Sequence, residues 1–211
     1  MIIDVNRSKI CTAFANNTIS AIIGMAGIGK SYLSAYNSSF VDGYCSELTL
    51  EEFEKRCKDI WKQNKIVLTA NYKQAVNFFN SEGMNYLVIY PENLNSEKER
   101  YFKIYENRKE NASEEYIQKN KTIYDQRMIN YRKLKLPYGC FRDEIPVGMN
   151  LTEYLIQLQV IERNDIFEYL IVDGYLTKEK LEYYGNLGWQ MTSELNYRTV
   201  FKRLKTSLKY E

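Results

Sequence analysis

Short apolar runs alternate with longer amphipathic stretches between residues 19 and 91. Ile19 to Ile23, Ser39 to Asp42, Lys65 to Thr69 and Asn85 to Tyr90 read as strands, the last closed by Pro91. Between them, Ser31 to Tyr36 can start a helix, and Lys73 to Asn80 reads as another. Thr49 to Gln63 predicts a third, with Leu50, Phe53, Cys57, Ile60 and Trp61 on one face. Apolar strands separated by helices argue for right-handed βαβ units and a buried parallel sheet, with ligands at the carboxyl ends of the strands.

Residues 94 to 135 break this rhythm. They are long, charged and helical in pattern, with Ser96 and Glu99 spaced as a capping box and Ser113 followed by two glutamates as a second helix start. This composition predicts a helical hairpin standing off the sheet. Tyr138 to Phe141 follows as a candidate fifth strand, Pro146 and Gly148 fall in a loop, and Thr152 to Gln159 reads as a helix. From Ile166 onward the pattern changes to a strand over Phe167 to Val172 and a helix over Thr177 to Tyr184. Gly188 to Ser193 and Arg198 to Arg203 then read as a hairpin turning at Asn196. The expected organisation is an α/β domain over 1–162, with a helical insertion at about 94–135, and a small βαββ domain over 163–211.

Length and charge narrow the function classes. A chain of 211 residues can bury a substantial core. Its 29 Lys plus Arg against 27 Asp plus Glu leave a net charge of +2, which gives no general electrostatic case for nucleic acid or a membrane. A DNA-associated ATPase is disfavoured on the same ground. The four cysteines, Cys11, Cys45, Cys57 and Cys140, lack C-x-x-C spacing and there is no histidine, so a zinc site or a Cys/His nucleophile is not expected. No basic segment followed by a long apolar run opens the chain, and no stretch reaches transmembrane length, so the expected location is cytoplasmic.

The candidate chemistry lies just after the first strand. Gly24-Met25-Ala26-Gly27-Ile28-Gly29-Lys30-Ser31 fits G-x-x-x-x-G-K-[ST] completely. Strand, glycine loop and helix start are the order that lets backbone amides and a helix dipole face an anion. Residues Gly24 to Tyr32 are therefore the candidate binders of a nucleoside triphosphate, ATP or GTP. Lys30 would reach its β- and γ-phosphates, and the Ser31 hydroxyl would hold Mg²⁺. Asp42, at the end of the second strand, could orient an acceptor hydroxyl, take its proton, or hold Mg²⁺ through water. Glu47 shares this argument more weakly.

With "IIGMAGIGKS", "FVDG", "KIVLTA" and "YLVIYPENLNSEKERYFKIYENR" in view, residues 18 to about 158 resemble the P-loop nucleotide and nucleoside monophosphate kinases, particularly the small kinase-like proteins of bacteriophages. The resemblance implies a P-loop NTPase fold, a helical lid and lid arginines that contact the transferring phosphates. By position these are Arg100 and Arg108, with Arg127 and Arg132 behind them. It also implies host cytoplasm if the chain is phage-encoded. "YYGNLGWQM" and "VFKR" in the tail resemble a short βαββ domain of unknown function common in bacteria and phages; Gln190 stands where that family often has glutamate.

Two classes of function follow. One is ATP-dependent phosphoryl transfer to a nucleotide, a nucleoside or a modified base in DNA. The other is a non-catalytic nucleotide-binding interaction protein that docks a protein partner through 163–211. "KIVLTANY" and "NYLVIYPEN" end without the aspartate that often organises Mg²⁺, which favours the second; Thr69, Asn71, Glu92 or Asp42 could substitute. Tyr72, Tyr90 and Phe141 are candidate base-stacking rings, and Trp189 reads as a core anchor of the tail.

Overall fold

A computed structural model describes residues 5–43, 48–70, 72–92, 94–107, 113–162, 167–173, 177, 181–182, 190–195 and 198–204. The chain divides into two compact units, Met1–Glu162 and Arg163–Glu211.

The first unit is an α/β sandwich of three layers. Its sheet contains β1 (Ala21–Gly24), β2 (Phe40–Asp42), β3 (Ile66–Thr69), β4 (Tyr86–Pro91) and β5 (Phe141–Ile145), ordered β2-β3-β1-β4-β5, with every pairing parallel. β1 is central and wholly buried. Such strands carry apolar side chains on both faces because helices cover both. Ala21 and Ile23 face one layer with Val67, Tyr86, Val88 and Tyr90. Ile22 faces the other with Leu68, Leu87 and Ile89.

The first layer is built by α3 (Leu50–Trp61), α4 (Tyr72–Ser81), α5 (Leu94–Glu106), α6 (Glu114–Thr122) and α7 (Tyr124–Lys133). The second consists of α1 (Val5–Ala15), α2 (Lys30–Tyr36) and α8 (Leu151–Gln157). Helices α5, α6 and α7 thus do not stand off the sheet. Tyr101, Tyr105, Ile117, Tyr124, Met128 and Tyr131 are buried in the same cluster as Ala21 and Val88. Tyrosine explains the difference, since its ring buries like an apolar residue while the charged side chains between the rings stay outside.

Local signals account for several ends. Thr49 and Glu52 form a reciprocal capping box on α3, and Ser113 caps α6 by accepting from Tyr116 N–H at 3.2 Å. α5 begins at Leu94, two residues before the capping box expected at Ser96. Leu50, expected on the buried face of α3, is exposed. The fifth strand lies C-terminal to its expected position, at Phe141–Ile145. Helix α1 carries no apolar stripe and was not expected. It is fixed by Ile10 and Ala13 in the core, and by the Arg7 to Asp143 ion pair at 3.2 Å with Tyr154 O–H donating to the same carboxylate.

The second unit contains an antiparallel sheet, β6 (Phe167–Asp173), β8 (Arg198–Leu204) and β7 (Gln190–Leu195) in that spatial order. Leu170 pairs with Phe201, and Leu195 with Arg198, with an irregularity between Met191 and Ser193. Of the helix expected over 177–184, residues 181–182 are helical and Leu181 N–H donates to Thr177 O at 3.0 Å. The rest of that helix, the Asn196 turn and Trp189 lie outside the described residues.

Candidate functional site

The glycine loop leaves the carboxyl end of β1, where the chain order reverses: β2 and β3 lie on one side of β1, and β4 and β5 on the other. In open α/β sheets this is the position where a crevice forms. Gly27 has φ +87° and Gly29 φ +99°, left-handed conformations that L side chains rarely adopt. Space for a side chain is tight as well. A Cβ on Gly27 would stand 3.0 Å from Tyr101 Cδ1, and one on Gly29 would stand 3.3 Å from Asn150 Cβ.

Lys30 opens α2 directly after the loop. Its Nζ donates to the carbonyls of Gly24 and Met25, both at 2.8 Å, and the residue is only 9% exposed. The loop therefore curls around its own ammonium group, and two carbonyl dipoles face the charge. A phosphate entering the loop would exchange its oxygens for those carbonyls, a stronger pairing because the acceptor is then charged. Met25, Ala26 and Ile28 are buried. Tyr105 O–H donates to Ala26 O at 3.0 Å from α5, and Leu151 N–H donates to Ile28 O at 2.9 Å from α8. Helices from both layers thus fix the loop.

Ser31 follows Lys30, and its Oγ donates to Asp42 Oδ2 at 2.9 Å. This contact ties the start of α2 to the end of β2, an edge strand that β3 separates from β1. Arg56 Nη2 holds the Asp42 carbonyl at 3.0 Å, and Asp42 N–H donates to Ser34 Oγ at 3.4 Å. The strands flanking β1 end in Thr69 and Pro91, so Asp42 is the carboxylate that reaches the Ser31 hydroxyl. Among the described residues no group of three or more His, Cys, Asp or Glu could hold a metal ion. The Ser31 and Asp42 oxygens nevertheless suit Mg²⁺, which takes few protein ligands and completes its shell with water and phosphate. Glu47 and Asn71 lie outside the described residues.

The arginines of the insertion go to different places. Arg100, on α5, donates through Nη1 to Glu97 Oε2 at 2.7 Å and to Met149 O at 3.1 Å. Arg127 donates to Asn120 within the α6–α7 pair. Arg132 donates to Glu92 O at 2.8 Å, pairs with Glu144 at 3.2 Å and lies over the Tyr90 ring at 5.6 Å. Arg108 lies outside the described residues. Only Arg100 among those described is brought to the rim of the glycine loop, through the Met149–Leu151 backbone that touches Ile28 and Gly29.

The candidate stacking rings are mostly occupied. Tyr90 is buried, stacked on Tyr131 at 6.3 Å and covered by Arg132; burial first, then the Glu144 carboxylate, raises its hydroxyl pKa. Phe141 packs against the second core cluster, and the Tyr72 side chain lies outside the described residues. Tyr32, beside Ser31, is half-buried and packs against Tyr36 at 6.1 Å; its hydroxyl pKa is raised by burial, then by Tyr36 and Glu153. An open groove of about 350 Å³ lies along α3 and β2. Of its charged lining, Glu52 engages Thr49, Asp59 engages Lys62 and Arg56 engages the Asp42 carbonyl.

Glu97, Tyr101, Tyr105 and Asn150 are site residues that motif reading missed. Glu97, Tyr101 and Tyr105 recur every fourth residue and so share one face of α5. That spacing was the available signal, hidden by the charges around it. No protein-family model matches the chain, and no curated protein is similar to it at the level searched.

Proposed function

We propose that the protein is a P-loop NTPase of the phosphotransferase kind, passing the γ-phosphoryl group of ATP or GTP to a nucleotide, a nucleoside or a modified base in DNA. The observation that carries this reading is the placement of Lys30, Ser31 and Asp42 around one glycine loop at the strand-order reversal. Phosphoryl transfer needs positioning and charge neutralisation more than covalent help. Lys30 leaves the Gly24 and Met25 carbonyls to bridge the β- and γ-phosphates. Amides at the start of α2 face the same oxygens. Ser31 and Asp42 would hold Mg²⁺, which supplies charge neutralisation to the phosphates. Asp42 would also orient an acceptor hydroxyl or take its proton, and the Arg100 guanidinium would contact the phosphates from the Met149 side of the loop.

Titration calorimetry with MgATP and MgGTP, followed by a nucleoside diphosphate assay on the same samples, tests this. Lys30→Ala is expected to weaken binding by more than about tenfold, the loss of one strong charge-assisted contact, and to abolish diphosphate formation. Equal binding by wild type and Lys30→Ala would refute the reading.

A second reading is favoured by one observation: neither strand beside β1 ends in a carboxylate. On that reading the loop binds nucleotide without turnover, and the separate unit Arg163–Glu211 docks a protein partner. Binding without diphosphate product, with a partner lost on deletion of residues 166–211, would select it over transfer.

A further inference from the structure

Resting on the phosphotransferase reading, we infer that Glu97 is a positioning residue. It fixes Arg100 at the rim of the glycine loop so that the open side of the guanidinium meets a phosphate oxygen of the bound nucleoside triphosphate. Glu97 is 3% exposed although it lies in a charged segment. A carboxylate is buried only at a cost unless it is paired and hydrogen-bonded. Both conditions are met, the first by Arg100 one turn along α5 and the second also by the distant Gly148 backbone. Oε2 accepts from Arg100 Nη1 at 2.7 Å, and Oε1 accepts from Gly148 N–H at 3.2 Å.

Arg100 is held by one corner. Nη1 donates to both Glu97 and Met149 O, while Nη2 and Nε have no partner among the described residues. The side chain is 32% exposed. A guanidinium anchored at one nitrogen with two further donors open is prepared for an oxyanion. The anchor is also next to the loop, since Met149 precedes Asn150 at Gly29 and Leu151 on the Ile28 carbonyl. Glu97 offsets the Arg100 charge until phosphate arrives. Arg127 and Arg132 lack this arrangement, being committed to Asn120 and to Glu92, Glu144 and Tyr90.

Calorimetry with MgATP as the probe tests the inference on wild type, Glu97→Gln, Arg100→Ala, the double variant and Lys30→Ala. Glutamine retains an acceptor for Gly148 N–H, and thermal melting checks that each variant is folded. Arg100→Ala and Glu97→Gln are each expected to weaken binding by about five- to tenfold, with the double variant no weaker than either, because contacts acting through each other are not additive. Added guanidinium ion, below denaturing concentration, restores affinity to Arg100→Ala but not to the double variant; a merely structural glutamate would not produce that difference. Should Glu97→Gln fail to fold, Glu97→Asp takes its place: it keeps the charge, draws the fork back, and is expected to weaken binding by about threefold. Wild-type affinity in the Glu97 variant, additive losses, or equal rescue of both Arg100 variants would overturn the positioning role. If Lys30→Ala binds as tightly as wild type, the phosphotransferase reading itself fails and this inference with it.

Discussion

Glu52 and Glu97 both stand in the first turn of a helix, and the two helices use them in opposite ways. On α3, Glu52 turns back to Thr49 N–H at 2.8 Å and closes a capping box in solvent. On α5, Glu97 pairs with Arg100 one turn along the helix, accepts from the Gly148 N–H of a distant loop, and is buried. The α3 end is organised by neighbours in sequence alone, whereas Glu97 at the α5 end adds to its helix neighbour a loop 51 residues distant in the chain. A helix of the first kind could hold its end by itself. One of the second kind depends on the surrounding fold, and in turn ties the glycine loop to the β5–α8 connection.

The largest effect should come from removing the aromatic seam that seats α5. Tyr105→Ala deletes a fully buried ring and the hydroxyl bond to Ala26 O. Its expected cost is about 3–5 kcal/mol, in the range of other buried aromatic truncations. Denaturant unfolding measures it, and hydrogen exchange should show faster exchange at residues 24–30. A loss below about 1 kcal/mol, the scale of a surface change, would show that α5 rides on the loop without supporting it.

A second test separates the two regions by pH. Burial pushes the Tyr86 hydroxyl up to about 12 from an ordinary 10, and raises those of Tyr101 and Tyr124 as well. The folded state therefore keeps these protons after the unfolded chain has lost them. Stability is fully present below pH 10 and falls as pH rises toward 12. The α3 carboxyls behave in the opposite sense. Glu52 is held below its ordinary 4.5 by its bonds to Thr49, and Asp59 below 3.8 by Lys62. Their contribution is present above those values and is lost as pH falls through the lowered ones. Thermal melts from pH 3 to 12, with tyrosinate absorbance followed on the alkaline side, should show the tyrosines ionising together with unfolding. Ionisation of every tyrosine near 10 in the still-folded protein would contradict a buried α5–α7 seam.

Thr49→Ala is expected to have the smallest effect. It removes the α3 cap and should cost about 1 kcal/mol, the usual value of an N-cap side chain. Because the cap is local, exchange at the glycine loop should not change. A change there would mean that α3 and the loop are coupled through Arg56 and Asp42.

Sequence order and short-range chemistry made much of the first unit legible. The apolar runs around Ile22, Val67 and Val88 correspond to β1, β3 and β4 because a strand buried on both faces needs apolar residues at successive positions. The α6 cap was readable at Ser113 for the same local reason. α1 was not readable, since its face is defined by Asp143 and the core residues it meets. The exact bounds of β5 were obscured because Arg142, Asp143 and Glu144 interrupt its apolar pattern.

At the candidate site, the sequence by itself determined the glycines, the lysine and the serine in their spacing. A loop with left-handed turns followed at once by a helix start is a property of consecutive residues. Only the tertiary structure decided that Ser31, on α2, meets Asp42 at the end of the edge strand β2, and that α5 covers the loop with Tyr101 and Tyr105. It also decided that Arg100, rather than Arg127 or Arg132, is brought to the loop rim. These are contacts between residues far apart in the chain. Charge and periodicity say which side chains are available for such contacts, while strand order and helix packing select the partners.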